Sequence, residues 1–190
     1  TKVFNTLEGG AIVCSDERTK RQIDHLKNFG FVNETTVVAT GINGKMNELQ
    51  AAMGLLQLKN IDSAIDARAE IARHYRQNLV DIPGITCVPD VGQIRANYSY
   101  FPILVGEDYP LTRDELYELL KSKGIYGRRY FFPLISDFPM YRQLPSAAAN
   151  NLFVARGIAD KVICLPIYPD LSISAVEKIC SELTTLAKNH

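Results

Sequence analysis

From Met46 the apolar side chains recur at Met46, Leu49, Met53, Leu56, Ile61, Ile65, Ala69, Ala72, Tyr75 and Leu79, in steps mostly of three or four. That period predicts a long amphipathic helix, or two helices joined near Asn60, ending before the DIPG stretch. Continuous over 46–80, it would span about 50 Å at roughly 1.5 Å per residue. One compact domain has no use for that length, so the helix is read as a bridge between two lobes, with the boundary near residue 65.

Upstream, Gly9 to Cys14 is a short apolar run launched from a glycine pair and closed by Ser15, the pattern of a buried strand. Ser15 is read as the start of a helix over SDERTKRQIDHLKNFG, acidic in its first turn and followed by Gly30. FVNETTVVATGING reads as a loop. Downstream, ITCVP and YSYFPILV read as strands. TRDELYELLKSKG carries Thr112 and Glu115 at capping-box spacing, with Gly124 as its stop. IYGRRYFF alternates as a strand would, Ile125, Gly127, Arg129 and Phe131 facing one way and Tyr126, Arg128, Tyr130 and Phe132 the other. FPMYRQLPSAAAN is read as loop and short helix, NLFVARGIADKV as a helix and ICLPIYPDLS as strand and turn. Ser174 and Glu177 are expected to cap the last helix. The resulting order, β-β-α-β-α-β-α, describes an α+β lobe with helices on one face of a small sheet.

With 46% hydrophobic and 22% charged residues, the composition is that of an ordinary globular protein, not a disordered or fibrous one. Twenty-one basic residues balance twenty-one acidic ones, so no net field recruits nucleic acid or an anionic membrane. No stretch approaches the roughly 18 apolar residues needed to span a bilayer. A signal-peptide layout is also missing, which makes a cytoplasmic location the expectation. Cys14, Cys87, Cys164 and Cys180 are far apart and lack zinc-ligand spacing, which favours reduced thiols and no metal site.

Three stretches carry candidate chemistry. In TKVFNTLEGG, Lys2 is either a solvated charge or a Schiff-base lysine held near a turn at Gly9 and Gly10. In GINGKMNELQAAMGLLQL, Asn43 or Asn47 serves as a helix cap, or the glycine-flanked Asn43 offers its amide to a phosphate or carbonyl oxygen. In GRRYFFP, the bland reading has one arginine solvated and the other paired with a carboxylate. The sharper one makes Arg128, Arg129 and Tyr130 contacts to a diphosphate-bearing or acidic substrate. His25 and His74 lie within helical segments and His190 is terminal, so none is assigned to catalysis.

In this order the stretches resemble the sugar aminotransferases of the DegT/DnrJ/StrS family, pyridoxal-phosphate enzymes acting on nucleotide-linked keto sugars. The resemblance covers essentially the whole chain, and GINGKMNELQAA matches the family signature G-x-N-x-[RK]-M-x-E-x-Q-A-A. It implies a partial α/β fold of the pyridoxal-phosphate-dependent type I class: residues 1–65 as the remainder of the large cofactor-binding domain, 66–190 as a small C-terminal α+β domain, and a long helix joining them. Lys2 falls at the family's Schiff-base lysine. Asn43 falls where the family supplies an amide to the cofactor phosphate of the neighbouring subunit, which implies a homodimer with shared active sites. Relatives that dehydrate sugars carry histidine at the lysine position, so Lys2 favours transamination, with glutamate as the expected amino donor. The product would be an amino sugar for polysaccharides such as lipopolysaccharide O-antigen. Many relatives have histidines where Tyr130 and Ser136 stand here, a departure that resembles the subset working on deoxy-hexose nucleotides.

Family members are about twice this length. The resemblance therefore implies a C-terminal half, as a fragment or one piece of a cut chain. The other half would hold the acidic partner of the pyridine nitrogen, the aromatic stacked on the ring and most phosphate contacts. Alone, such a half is expected to bind pyridoxal phosphate weakly or not at all. A non-catalytic dimerisation module and a sugar dehydratase of the same fold are the alternatives.

Overall fold

A computed structural model describes residues 2–90, 92 and 94–188. The chain divides into two compact units, Lys2–Asp62 and a second beginning at Ser63. Helix α1 is Glu17–Leu26, and α2, Glu48–Leu79, is one unbroken helix of 32 residues, about 48 Å long, with no break at Asn60. It starts in the first unit and ends in the second.

In the first unit the expected buried strand at Gly9–Cys14 is absent. The segment has no regular structure, and Ile12 and Val13 are 73% and 96% exposed. A strand persists only when a neighbour takes its backbone hydrogen bonds, and among the described residues nothing pairs with this one. The α1 cap is Asp16 rather than Ser15: its carboxylate accepts from the Thr19 amide at 2.8 Å and the Thr19 hydroxyl at 2.8 Å. A carboxylate is also the better partner for the positive end of the helix dipole. The FVNETTVVATGING loop runs without helix, held by isolated bridges between Phe31 and Val37 and between Asn28 and Asn43.

The second unit is built on a three-stranded antiparallel sheet, β1 (Ile85–Cys87), β2 (Phe101–Val105) and β3 (Val162–Leu165), in that spatial order. Cys87, Ile103 and Ile163 lie in register across it. Along β2, Phe101, Ile103 and Val105 are buried and the intervening Pro102 and Leu104 half-buried, the period-two pattern of a strand with one core face. Against the core face pack Ile71, Ala72, Tyr75 and Leu79 of α2. Helix α3 (Arg113–Ser122) adds Leu116 and Leu120, and α5 (Ile173–Lys188) adds Val176, Ile179, Cys180 and Leu183. The short α4 (Phe153–Ala159) precedes β3, after three single 3-10 turns between Ile135 and Asn151. This is the expected α+β lobe with one strand fewer.

The missing strand is IYGRRYFF. Its alternation survives from Ile125 to Arg128, with Ile125 and Gly127 buried and Tyr126 and Arg128 exposed. One bridge forms: the Arg128 amide donates to Cys164 O at 2.9 Å, and the Cys164 amide donates to Arg128 O at 2.7 Å. At Arg129 the chain turns away, because Arg129 O accepts from the Phe132 amide at 2.9 Å and its guanidinium is drawn to Asp114 on α3. The bridge nonetheless covers the free edge of β3, which explains why all four of its residues are buried.

The capping box of α3 is present as expected. Thr112 Oγ1 accepts from the Glu115 amide at 3.3 Å, and the Glu115 carboxylate accepts from the Thr112 amide at 2.8 Å. At α5 the helix begins at Ile173, and it is Ser172, not Ser174, whose hydroxyl accepts from the Ala175 amide at 3.2 Å. Among the described residues no helix is long and apolar enough to cross a membrane.

Two measurements separate capping from packing in this unit. Thr112→Ala should lower stability by about 1 kcal/mol, and Leu116→Ala, at a fully buried site, by about 3 kcal/mol in urea unfolding. All four cysteines are free, and burial pushes the Cys164 thiol up to about 11 and Cys180 up to about 12. Since only the thiolate reacts, a disulfide reagent at pH 8 should label Cys14 first and leave Cys164 and Cys180 untouched until the protein unfolds.

Candidate active site

Lys2 and Asn43 both lie in the first unit, and the packing there ties together the two segments that carry them. Thr6, four residues after Lys2, is 7% exposed. A side chain at Gly9 would collide with Thr6 Oγ1 and come within 2.7 Å of Met46 Cε. One at Gly54 on α2 would meet Thr6 Cγ2 at 2.9 Å. Two glycines thus make the socket for Thr6. The Phe4 ring lies beside the same helix position, at 3.9 Å. Phe4, Thr6 and Gly9 therefore pack beside Met46 and the second turn of α2, just downstream of Asn43.

Asn43 sits on the approach to α2. The Ile42 amide donates to Leu26 O at 2.8 Å and the Gly44 amide to Lys27 O at 2.8 Å, fixing the backbone on either side to the end of α1. The choice between Asn43 and Asn47 as helix cap is settled by Asn47. Its Oδ1 accepts from the Gln50 amide at 2.9 Å, while Gln50 Oε1 accepts from the Asn47 amide at 3.3 Å. Asn43 is left exposed, and neither its amide nor the exposed Lys2 amine has a hydrogen-bond partner among the described residues.

Close to Asn43 lies an open cleft of about 930 Å³ between the Gly10–Cys14 segment, α1 and Lys45. Its cations are already engaged. Lys20 and Lys27 both bond Asp24 at 2.6 Å, and Lys45 donates to Asn28 Oδ1 at 2.8 Å. The hydrogen bond from Lys20, then that from Lys27, holds the Asp24 carboxyl down at about 2. Of its lining, the charged Lys20, Asp24, Lys27 and Lys45 did not stand out in the sequence. The spacing of Lys20, Asp24 and Lys27 along α1 and its C-cap, four and three residues apart, is the signal that places them together.

In the second unit the structure sorts the arginine pair. Arg129 donates to Asp114 Oδ1 at 2.7 Å and lies over the Tyr117 ring at 4.3 Å. Arg128 is exposed and has no carboxylate partner among the described residues. Tyr130 meets Tyr100 edge-on at 5.2 Å and stacks on Phe131 at 4.9 Å. The bland expectation for the two arginines therefore describes their local geometry. Sequence reasoning missed Asp114, whose only signal is its place one residue after the buried Arg113 in the first turn of α3. His74 bonds Glu70 at 3.0 Å and His25 lies in the last turn of α1, while His190 is outside the described residues. No group of three or more histidine, cysteine or acidic side chains gathers as a metal site among the described residues.

Residues 1–184 match the family model of the DegT/DnrJ/EryC1/StrS aminotransferases. The chain is 54% identical to a dTDP-4-amino-4,6-dideoxy-D-glucose transaminase from Escherichia coli over 90% of its own length and 46% of that protein's. It is 49% identical to the protein of the same name from Shigella dysenteriae, over 96% and 49% of the two chains. It thus spans about half the length of these curated relatives. Among solved structures, DesI in the presence of its TDP-sugar product superposes with a TM-score of 0.87 at 31% identity, covering 98% of this chain and 47% of that one. The fold is accordingly part of the α/β type I transferase fold, as the motifs imply. The chain belongs to the DegT/DnrJ/EryC1/StrS aminotransferase family.

Proposed function

We propose that the protein containing this chain transfers an amino group to a nucleotide-linked keto-deoxyhexose, with pyridoxal phosphate as cofactor and glutamate as amino donor. Residues 1–65 would be the remainder of its cofactor-binding domain and 66–190 its small domain. The observation that carries this reading is the pair of uncommitted groups on one packed unit. Lys2 is an exposed primary amine four residues before Thr6, which packs against α2, and Asn43 is an exposed amide on backbone hydrogen-bonded to the end of α1. An amine suits the cofactor's aldehyde and an amide N–H suits its phosphate, so the residues present fit the group. The naming of relatives at 49–54% identity as transaminases supports the same reaction.

The cofactor, when bound, supplies the electron sink that lets a proton leave the carbon bearing the amine. Lys2 would have two tasks: its Nζ would hold the cofactor, and as a free amine it would take the proton from the substrate carbon and give it back in the exchange. Asn43 Nδ2 would donate a hydrogen bond to a phosphate oxygen of the neighbouring subunit's cofactor and so orient it. That shared arrangement requires a homodimer. Leu49, Leu55, Leu56 and Leu58, all more than half exposed on the first half of α2, are apolar surface that calls for cover.

Two experiments test the reading, both on this chain reconstituted with the N-terminal half that the relatives carry. Borohydride reduction after addition of pyridoxal phosphate should leave the cofactor's mass on the Lys2 peptide and none in Lys2→Ala; attachment elsewhere sinks the proposal. Asn43→Ala should retain the lysine-dependent visible band but weaken cofactor affinity about tenfold, the value of one charge-assisted hydrogen bond. An unchanged affinity removes Asn43 from the site.

A further inference from the structure

Two arginines adjacent in sequence face different electrostatic surroundings. Arg129 is held on three counts: its NH1 donates to Asp114 Oδ1 at 2.7 Å, its plane lies 4.3 Å from the Tyr117 ring, and its side chain is only 34% exposed. Arg113 Nε lies 2.8 Å from the same carboxylate oxygen, Asp114 Oδ1, as an ion pair. Arg113 is 4% exposed, donates to Ala159 O at 2.7 Å and lies 4.4 Å from the Phe132 ring. The first turn of α3 thereby clamps the chain at both Arg129 and Phe132. The Arg129 guanidinium keeps the Asp114 carboxyl below its ordinary range, so the pair stays ionised well into acid.

Arg128 is fixed in a different way. Its backbone is locked by the two hydrogen bonds to Cys164, while its guanidinium stays exposed at 5.9 Å from the Tyr130 ring. That ring belongs to a cluster with Tyr100 and Phe131, and Phe131 is 67% exposed. A phosphate approaching Arg129 would have to displace Asp114 or sit beside its negative charge, a repulsion of order 1 kcal/mol at 4 Å even in bulk water. At Arg128 it meets a free planar fork on a fixed backbone.

We propose that Arg128, and not Arg129, takes a phosphate of the nucleotide-linked substrate, and that Asp114 is a positioning residue which commits Arg129 to holding the segment. Phe131, exposed beside that charge, offers the nucleotide a ring face for stacking. The substrate class rests on the transaminase reading, but the anion site itself needs neither Lys2 nor the cofactor.

The test is calorimetric titration of the full 190-residue chain with inorganic pyrophosphate at low salt. Arg128→Gln should weaken binding at least tenfold, whereas Arg129→Gln should stay within threefold of the wild type. A tenfold loss in Arg129→Gln with an unchanged circular dichroism spectrum, or no saturable binding by the wild type, overturns the proposal. If Arg129→Gln misfolds, Arg129→Lys, which retains a charge for Asp114 but lacks the fork, decides it: within threefold upholds the assignment and a tenfold loss rejects it. Failure of the Lys2 experiment leaves this result standing, and failure here leaves the Lys2 experiment standing.

Discussion

The second unit depends on the burial of Tyr75. This side chain is fully excluded from water on α2, stacks on Phe101 of β2 at 4.8 Å with planes 25° apart, and donates its hydroxyl to Pro166 O at 3.0 Å. One residue thus couples helix, central strand and the turn after β3. A buried tyrosine without that acceptor would carry the desolvation cost of an unsatisfied hydroxyl. With it, the apolar ring and the polar tip specify the same arrangement, and burial pushes the phenol far above its ordinary range, so it stays a neutral donor. Arg68, seven residues earlier and 5% exposed, repeats the device by donating to Tyr98 O at 3.1 Å and Ile167 O at 3.0 Å.

The first unit is organised by close approach rather than by a large core. Thr6 fills the space that side chains at Gly9 and Gly54 would occupy, so a stretch of irregular chain is held against α2. That socket packs the lysine segment against the distant asparagine signature, and each motif supplies one of its glycines.

The sequence was most readable where a local rule had no competitor. The three-and-four spacing from Met46 to Leu79 predicted α2, and Thr112 with Glu115 predicted the capping box. It misled where several local solutions were equally good. Asp16 outcompetes Ser15 and Ser172 replaces Ser174, because neighbouring polar residues offer alternative caps within one or two positions. IYGRRYFF alternates throughout, yet only its first four residues follow the strand, since the attraction of Arg129 for Asp114 acts across 15 positions that no window of the sequence spans. Gly9–Cys14 is apolar enough for a strand, but apolarity says nothing about whether a partner strand is there to receive it.

By itself, the sequence determined the helix periods, the α+β order of the second unit apart from the IYGRRYFF strand, the family and the identity of Lys2 and Asn43 as candidate groups, because these follow from spacing and residue chemistry. Only the tertiary structure decided which asparagine caps α2 and which is left free, and which of two adjacent arginines is spent on a carboxylate. Those outcomes turn on distances of 3 Å between residues far apart in the chain or a single turn apart, and residue order alone does not encode such distances.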